Sequence, residues 1–554
     1  MLQPNEGTAS VFSEDSSLDK TRHRIESSCT MGDLVLRSIE RGGNRPAFVS
    51  GGISTSYSQL GERLSCVVQA LSALNIKRGD AVACISTNTL EAFLVIAAAY
   101  VMGVRITNLH PLGSADDHCF IVQDCGAQLL IYDPLSYRQR AVEISSRSNG
   151  AVKLAALGPC TTGIDLIADS HQYPVARLTS SSQALDVCTI IYTGGTTGRP
   201  KGVTHSHISY VAMVMAEMAE WEWPSTTTFL VITPISHGAG ACMMPVLLRS
   251  GTVVMENGFS PSKFIDLVER HRVTATFLVP TMIYKILDHH AETGQAPASL
   301  ELVIYGAAPM APTRMTEALR ILGPVFMQLY GQSEAPNCVT VLRKADHDIE
   351  KFPERLASCG QPIFNSQVAL LDGQGVPVER GAIGEICVRG PLVMMGYWNN
   401  PEETSHVFRH GWLHTGDLAQ MDKDGYIYIV GRSKDMIITG GFNVYPAEIE
   451  GALSTHPAVS AAAVIGVPDA LWGEAVKAVV VLRPGHNASA AEIIDVVRRS
   501  KGAICAPKSV EFVNAIPVTP LGKPDKKALR QQFGSASPQG AEALTMASPH
   551  RESA

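Results

Sequence analysis

Between Ile191 and His207 the chain reads IYTGGTTGRPKGVTHSH, with four glycines, four threonines and a proline around a single lysine, Lys201. Gly194, Gly195 and Gly198 let a backbone approach a ligand closely and turn its amide hydrogens inward. Thr193, Thr196 and Thr197 add hydroxyl donors around the same concavity, and Lys201 supplies a point positive charge. The guest that suits such a set is a polyphosphate. The phosphate loop G-x-x-x-x-G-K-[ST] is excluded: counted from Gly195, its second glycine falls on Pro200, and Lys201 is followed by Gly202, so no hydroxyl stands ready for magnesium. Taken alone, the stretch also fits a solvated Gly/Thr turn with an incidental lysine.

The loop YTGGTTGRPKG resembles the signature loop of the adenylate-forming enzymes, the superfamily of acyl- and aryl-CoA synthetases, carrier-protein-loading adenylation domains and beetle luciferases. Gly194 stands where serine is usual; a hydroxyl is lost, while small size and an amide are kept. Further motifs follow in the superfamily's order, YGAAPM from Tyr305 to Met310 and QLYGQSEA from Gln328 to Ala335. The resemblance implies a backbone wall at Ala307, Ala308 and Pro309, and Tyr330 stacked on adenine beside Gly331. Ser333 would reach the α-phosphate, and Glu334 would offer magnesium the hard oxygen ligand it prefers. In WLHTGDLA, Asp417 matches the aspartate that accepts the ribose hydroxyls, although in isolation TGDL reads as a turn. Arg432, fifteen residues on, matches an arginine for ribose or phosphate, and Ile429 a residue packed near the base.

The segment GRSKD is a polar break with the composition of a linker between domains. By resemblance it is a hinge with Lys434 as pivot, and Gly440 and Gly441 belong to a loop that enters the site for a second half-reaction; a surface β-turn is the plainer reading of both glycines. PVTPLGKPDKKAL places Lys523 on the family's catalytic lysine, a cation that joins two anions, the carboxylate and the α-phosphate. Lys526 and Lys527 are expected to be solvated charges.

The resemblance runs over roughly residues 30–533. It implies that a carboxylate attacks the α-phosphate of MgATP to give an acyl-adenylate and pyrophosphate, after which a thiol displaces AMP. TPISHGAGACMMP matches the segment in which amino-acid-activating relatives carry an aspartate; from Ser236 to Cys242 this chain has no carboxylate, so a buried ammonium would be unpaired. The acid expected is therefore apolar in body: fatty, alicyclic or aromatic. His237 matches a residue lining the acyl pocket and the thiol's approach, although a packed core histidine is an equal reading. Leu329 occupies a position that is often glycine in hydroxycinnamate ligases and shortens the pocket. Coenzyme A is the expected acceptor; a separate carrier protein, or a non-catalytic nucleotide binder, are the alternatives.

These residues need strands that end at one edge and helices that cover them. The run DVCTIIY before the glycines is β-branched and aromatic, a buried strand. AVACI and TVVME read as further strands, PSKFIDLVERHR as a helix, and AFLVIAAAYVMGV as a buried helix too short to span a bilayer. Such alternation predicts an α/β fold, a large N-terminal domain of layered α/β subdomains plus a small mobile α+β C-terminal domain. The expected divisions are a disordered segment over 1–28, an AMP-binding adenylation domain over 29–432, the mobile domain over 433–533 and a disordered tail over 534–554. At 554 residues with 45% hydrophobic and 18% charged residues the composition is that of an ordinary globular enzyme. The net charge of −7 gives no general attraction to nucleic acid or an anionic membrane. Twelve scattered cysteines without a C-x-x-C pair, and a polar start without an apolar signal core, predict a reducing cytoplasm.

Overall fold

The computed structural model describes residues 28–193, 199–469, 472–519 and 524–534. The expectations of disorder at the two ends fall almost wholly outside these residues.

Apart from Glu91 in its first turn, helix Leu90–Met102 is apolar all round, so it must be covered on nearly every side. The Thr89 hydroxyl accepts from the Ala92 amide to start it, and Gly103, at φ 68°, ends it. Phe93 lies 4.7 Å from Phe48 of strand Pro46–Ser50, and one apolar core takes side chains from this helix, from helices Met31–Gly42 and Tyr57–Ala73, and from both large sheets.

The first large sheet has eight strands in the order Gly396–Tyr397, Lys201–Ser206, Val187–Thr193, Arg105–Asn108, Ala81–Ile85, Leu129–Tyr132, Lys153–Ala156 and Ile164–Asp165. The second has nine: Gln361–Pro362, Ala335–Leu342, Phe326–Gln332, Leu302–Tyr305, Ala275–Leu278, Thr228–Val231, Thr252–Met255, Pro46–Ser50 and Ile53–Ser56. Inner strands of both are parallel and fully buried, as sheets covered on two faces require. A five-stranded antiparallel sheet includes Gly384–Arg389, Trp412–Met421 and Ile427–Arg432. The C-terminal part has its own five-stranded sheet around Val459–Asp469 and Gly473–Leu482, its own core, and helices Pro446–Leu453, Ala490–Lys501 and Lys526–Phe533. The chain is thus α/β with a large N-terminal and a smaller C-terminal domain, as the alternation predicts. Among the described residues no helix is long and apolar enough to cross a membrane. All twelve thiols are free.

Two local readings change. Asp417 is inside strand Trp412–Met421 rather than in a free turn, because the strand bulges there instead of ending. Lys526 is not simply solvated: it opens the last helix beside helix Pro446–Leu453 and pairs with Glu450 at 2.8 Å.

Candidate active site

Strands Val187–Thr193 and Lys201–Ser206 form a hairpin that sets Thr193 opposite Lys201. The loop between them is the one singled out above; Gly194, Gly195, Thr196 and Thr197 lie outside the described residues. Lys201 Nζ pairs with Glu403 and sits 5.6 Å from the centre of the Tyr397 ring. The Tyr397 hydroxyl in turn donates to Glu334 Oε1 at 2.7 Å. One chain of contacts therefore joins Lys201 to Glu334, the candidate metal ligand.

Glu334 is presented by a tight turn. Phe326–Gln332 and Ala335–Leu342 are antiparallel, with Gln332 opposite Ala335, so Ser333 and Glu334 form the two-residue connection. The pairing slips at Gly331, and a Cβ there would stand 2.6 Å from the Asn337 nitrogen, so the close approach requires glycine. From below, His205 Nε2 donates to the Ser333 carbonyl at 2.7 Å. Burial pushes the His205 imidazole down to about 4, which keeps this support uncharged. Glu334 is half-buried with one oxygen held by Tyr397, a carboxylate of the hard-oxygen kind that fits magnesium arriving with phosphate and water ligands.

On the next sheet, Asp417 and Arg432 face each other across strands Trp412–Met421 and Ile427–Arg432. Asp417 Oδ1 meets Arg432 Nε at 3.0 Å, and Oδ2 accepts the Tyr330 hydroxyl at 2.7 Å. Asp417 holds the Arg432 guanidinium above its ordinary range, and burial with that carboxylate pushes the Tyr330 phenol well up. Tyr330, Asp417 and Arg432 are thus assembled by contact, with Ile429 on the same strand opposite Ala419. The bulge carrying Asp417 is braced from strand Gly384–Arg389: Glu385 accepts the Gly416 amide at 2.8 Å and His414 Nδ1 at 2.7 Å. Glu385, Cys387 and His414 have donor types suited to a metal. In this structure His414 Nδ1 is taken up by Glu385 Oε2 at 2.7 Å and Cys387 Sγ at 3.4 Å, and burial followed by the Glu385 charge pushes the Cys387 thiol up to about 12.

Strand Leu302–Tyr305 runs parallel to Phe326–Gln332, with Tyr305 opposite Gln328, and leads directly into Ala307, Ala308 and Pro309. Ala307 has φ 65°, a left-handed conformation that costs an alanine energy and recurs at ligand-binding turns. Leu329 is buried, its carbonyl and side chain packed against Gly306. His237 opens the short helix Gly238–Ala241, with Nδ1 2.9 Å from Ser236 Oγ and its ring 4.5 Å, edge to face, from His110. Burial, then His110, pushes His237 down to about 3, so it is a neutral imidazole.

Lys434 sits in the turn Ser433–Asp435, and its ammonium is lowered by burial and then by Arg432, with Lys201 also near enough to act. Arg530 of the last helix reaches Asp435 of the same turn at 3.0 Å. Gly440 and Gly441, at φ 56° and 82°, form the two-residue turn between Ile437–Thr439 and Phe442–Val444, with Gly440 against Trp472. Lys523 lies outside the described residues, between Val518 and Pro524, which bridge each other.

The sequence reading missed Tyr397, Glu403, His205, His110 and Glu385. No motif marked them as a set, because their partners are distant in the chain; the pattern MMGYWNNPEET, with a tyrosine ahead of a helix cap at Asn400 and two glutamates in the first turn after it, was the available sign for the first two.

The family model described as AMP-binding enzyme matches residues 35–398, and that described as AMP-binding enzyme C-terminal domain matches residues 448–523. The medium/long-chain-fatty-acid–CoA ligase FadD8 of Mycobacterium tuberculosis is 44% identical over 91% of this chain and 90% of its own length. A feruloyl-CoA synthase of Amycolatopsis is 36% identical over 91% of this chain and 99% of its own. Among solved structures, the amide bond synthetase McbA of Marinactinospora thermotolerans superposes with a TM-score of 0.83 at 33% identity, over 91% of this chain and 100% of its own.

Proposed function

Because the chain belongs to the AMP-binding enzyme family, we propose that it joins an acid with an apolar body, fatty, alicyclic or aromatic, to coenzyme A through an acyl-adenylate. It is an acyl-CoA ligase, an AMP-forming acid–thiol ligase like the relatives it resembles over nine-tenths of its length. The observation that carries the reading is the contact chain Arg432–Asp417–Tyr330, with the chain Glu334–Tyr397–Lys201, which would offer a carboxylate for ribose, an aromatic face for adenine and a cation for phosphate.

In this reading the acid's carboxylate oxygen attacks the α-phosphorus of ATP, the bond to pyrophosphate breaks, and the acyl-adenylate forms. The thiol sulfur of coenzyme A then attacks the acyl carbonyl and AMP leaves, the thiol proton passing to solvent. Thr193 with the following glycines and threonines cradles the β- and γ-phosphates, and Lys201 exchanges Glu403 for them. Asp417 and Arg432 hold the ribose side, Ala307 to Pro309 and Tyr330 flank the base, and Ser333 touches the α-phosphate. Magnesium, held at Glu334, would neutralise the phosphate oxygens as charge shifts to the leaving group. Lys523 bridges carboxylate and α-phosphate. Chain segments on either side of the boundary at 432–433 then turn about Lys434, bringing Gly440 and Gly441 in for the thiol step. His237, uncharged, lines the acyl side.

The test is acid-dependent pyrophosphate release from MgATP across fatty, alicyclic and aromatic acids, with and without coenzyme A. Acyl-CoA formed only when coenzyme A is present is the expected result. Adenylate that persists despite it would redirect the acceptor to a carrier protein, and no release with any acid would refute the reading.

A further inference from the structure

Helix His207–Glu220 turns Glu217 inward, fully buried among apolar side chains. Its Oε1 accepts Asn337 Nδ2 at 2.8 Å, and its Oε2 has no partner. Burial raises the carboxyl to about 8, so near neutral pH it carries a proton. With Oε1 already accepting, the proton belongs on Oε2, which is then an unused donor. Four residues on, the buried Trp221 presents a second one: its indole Nε1 has no hydrogen bond of normal length. Both groups converge on Cys338, whose thiol is raised by burial and then by Glu217 and which lies beside the indole; a thiol is only a weak acceptor.

The position of this cluster is specific. Asn337 and Cys338 follow Glu334 by three and four residues, on the strand that leaves the candidate metal-ligand turn. Asn337 holds φ 55° with its backbone nitrogen against Gly331, the neighbour of Tyr330. Cys242, raised by burial and then by Glu217, follows the short helix that His237 opens. Glu217 therefore lies behind the segment assigned to the acid, from His237 to Cys242, and behind the strand that leaves the Ser333–Glu334 turn. A buried donor with no acceptor, Glu217, and a second, Trp221, whose nearest acceptor is the weakly accepting Cys338 thiol, each cost free energy that an apolar side chain in their place would not. A pocket for a purely hydrocarbon tail has no use for them.

We infer that Glu217 and Trp221 form the far wall of the acid pocket and select acids that carry an oxygen acceptor, a hydroxyl, ether or keto group, at the end remote from the carboxylate. The inference rests on the ligase reading above and refines its substrate class to an apolar body with one polar end.

Matched acids test it: para-methoxyphenylpropanoate against para-ethylphenylpropanoate, and an omega-hydroxy fatty acid against the alkyl acid of equal length. Each is assayed for acyl-CoA formation by the full chain, wild type, Glu217→Gln, Glu217→Leu and Trp221→Phe. Wild type should prefer at least one oxygenated partner by about tenfold or more in kcat/KM, since a site built to hydrogen-bond a substrate group rejects the analogue without it. Glu217→Gln, nearly the same shape and still a donor, should retain most of that preference. Glu217→Leu and Trp221→Phe should lower the ratio of kcat/KM for the oxygenated acid to that for its plain partner, whatever each does to turnover itself; should the leucine variant fail to fold, the phenylalanine variant decides. Turnover without preference in wild type, or preference that survives in both Glu217→Leu and Trp221→Phe, overturns the inference alone. No acyl-CoA from any acid overturns the ligase reading and the inference with it.

Discussion

Replacing Asp417 with asparagine should weaken ATP binding while leaving the fold intact. The Asp417 carboxylate, 8% exposed, takes the Tyr330 hydroxyl on one oxygen at 2.7 Å and Arg432 Nε on the other at 3.0 Å. In the proposed reading those oxygens receive the ribose hydroxyls when nucleotide enters. Asparagine keeps the size and one acceptor but removes the charge. A hydrogen bond to a charged group contributes about 1.5–3 kcal/mol, so losing one raises the KM for ATP by roughly 10- to 150-fold. Because the ribose is held alike before and during the reaction, kcat should change far less. Stability should barely move: Arg432 is 43% exposed, and so open a pair contributes at most about 1 kcal/mol, equivalent to a Tm shift of about 2–4 °C. The assay is pyrophosphate release titrated with ATP at saturating acid, beside a thermal melt. An ATP KM within about threefold of wild type, or an equal rise in the KM for the acid, would refute the assignment.

Lys523→Ala should lower adenylation by roughly a hundredfold or more, as expected for removal of a charge-stabilising group, yet leave thioester formation from supplied acyl-AMP largely intact; equal loss of both half-reactions would contradict the role. Lys434→Pro, which fixes a backbone angle in the turn closed by the Met436 amide on the Arg432 carbonyl, should slow thioester formation more than adenylation, and unchanged overall turnover would remove the hinge. Burial pushes His118, His205, His207 and His347 down to about 4 and His237 to about 3, whereas an unfolded chain binds those protons near pH 6.5. Their contribution to stability is complete above that pH and is lost as pH falls toward 4, so Tm measured from pH 7 downward should drop steeply. Glu217 has the opposite sign: its carboxyl keeps its proton to about 8 while the unfolded chain releases it near 4.5, so stability falls as pH rises across that interval. A Tm difference between wild type and Glu217→Gln that does not change between pH 5 and 8 would refute the buried-acid assignment.

Legibility followed the range of the interactions. The strand before the glycines, the buried helix after Thr89 and the two-domain α/β layout could be read because β-branching, apolar periodicity and caps act within a few residues. Asp417 and Arg432 stood out by kind, but their pairing depends on a hairpin whose bulge no propensity encodes. Lys526 looked like a free charge because Glu450, its partner, is on a helix far away in the chain. Tyr397 and Glu403 reach Lys201 and Glu334 only once two sheets are in place. Glu217 did leave a trace: of the two glutamates in the apolar run VAMVMAEMAEW it is the one on the face that also buries Val214 and Met213. Burial of a charge is invisible until the covering strands are known.

The helix Leu90–Met102 also dictates an order of events. A segment apolar on nearly every side has nowhere to rest during synthesis until its cover exists, and Phe229 and Val253, on strands that help complete that cover, are made well over a hundred residues later. An N-terminal portion released on its own would carry a sticky rod on its surface and would associate with its copies or be held by chaperones. The adenylation half of the protein is consequently indivisible: its two large sheets mature together around that rod, and recombination between relatives succeeds only where the junction leaves this shared core in one piece.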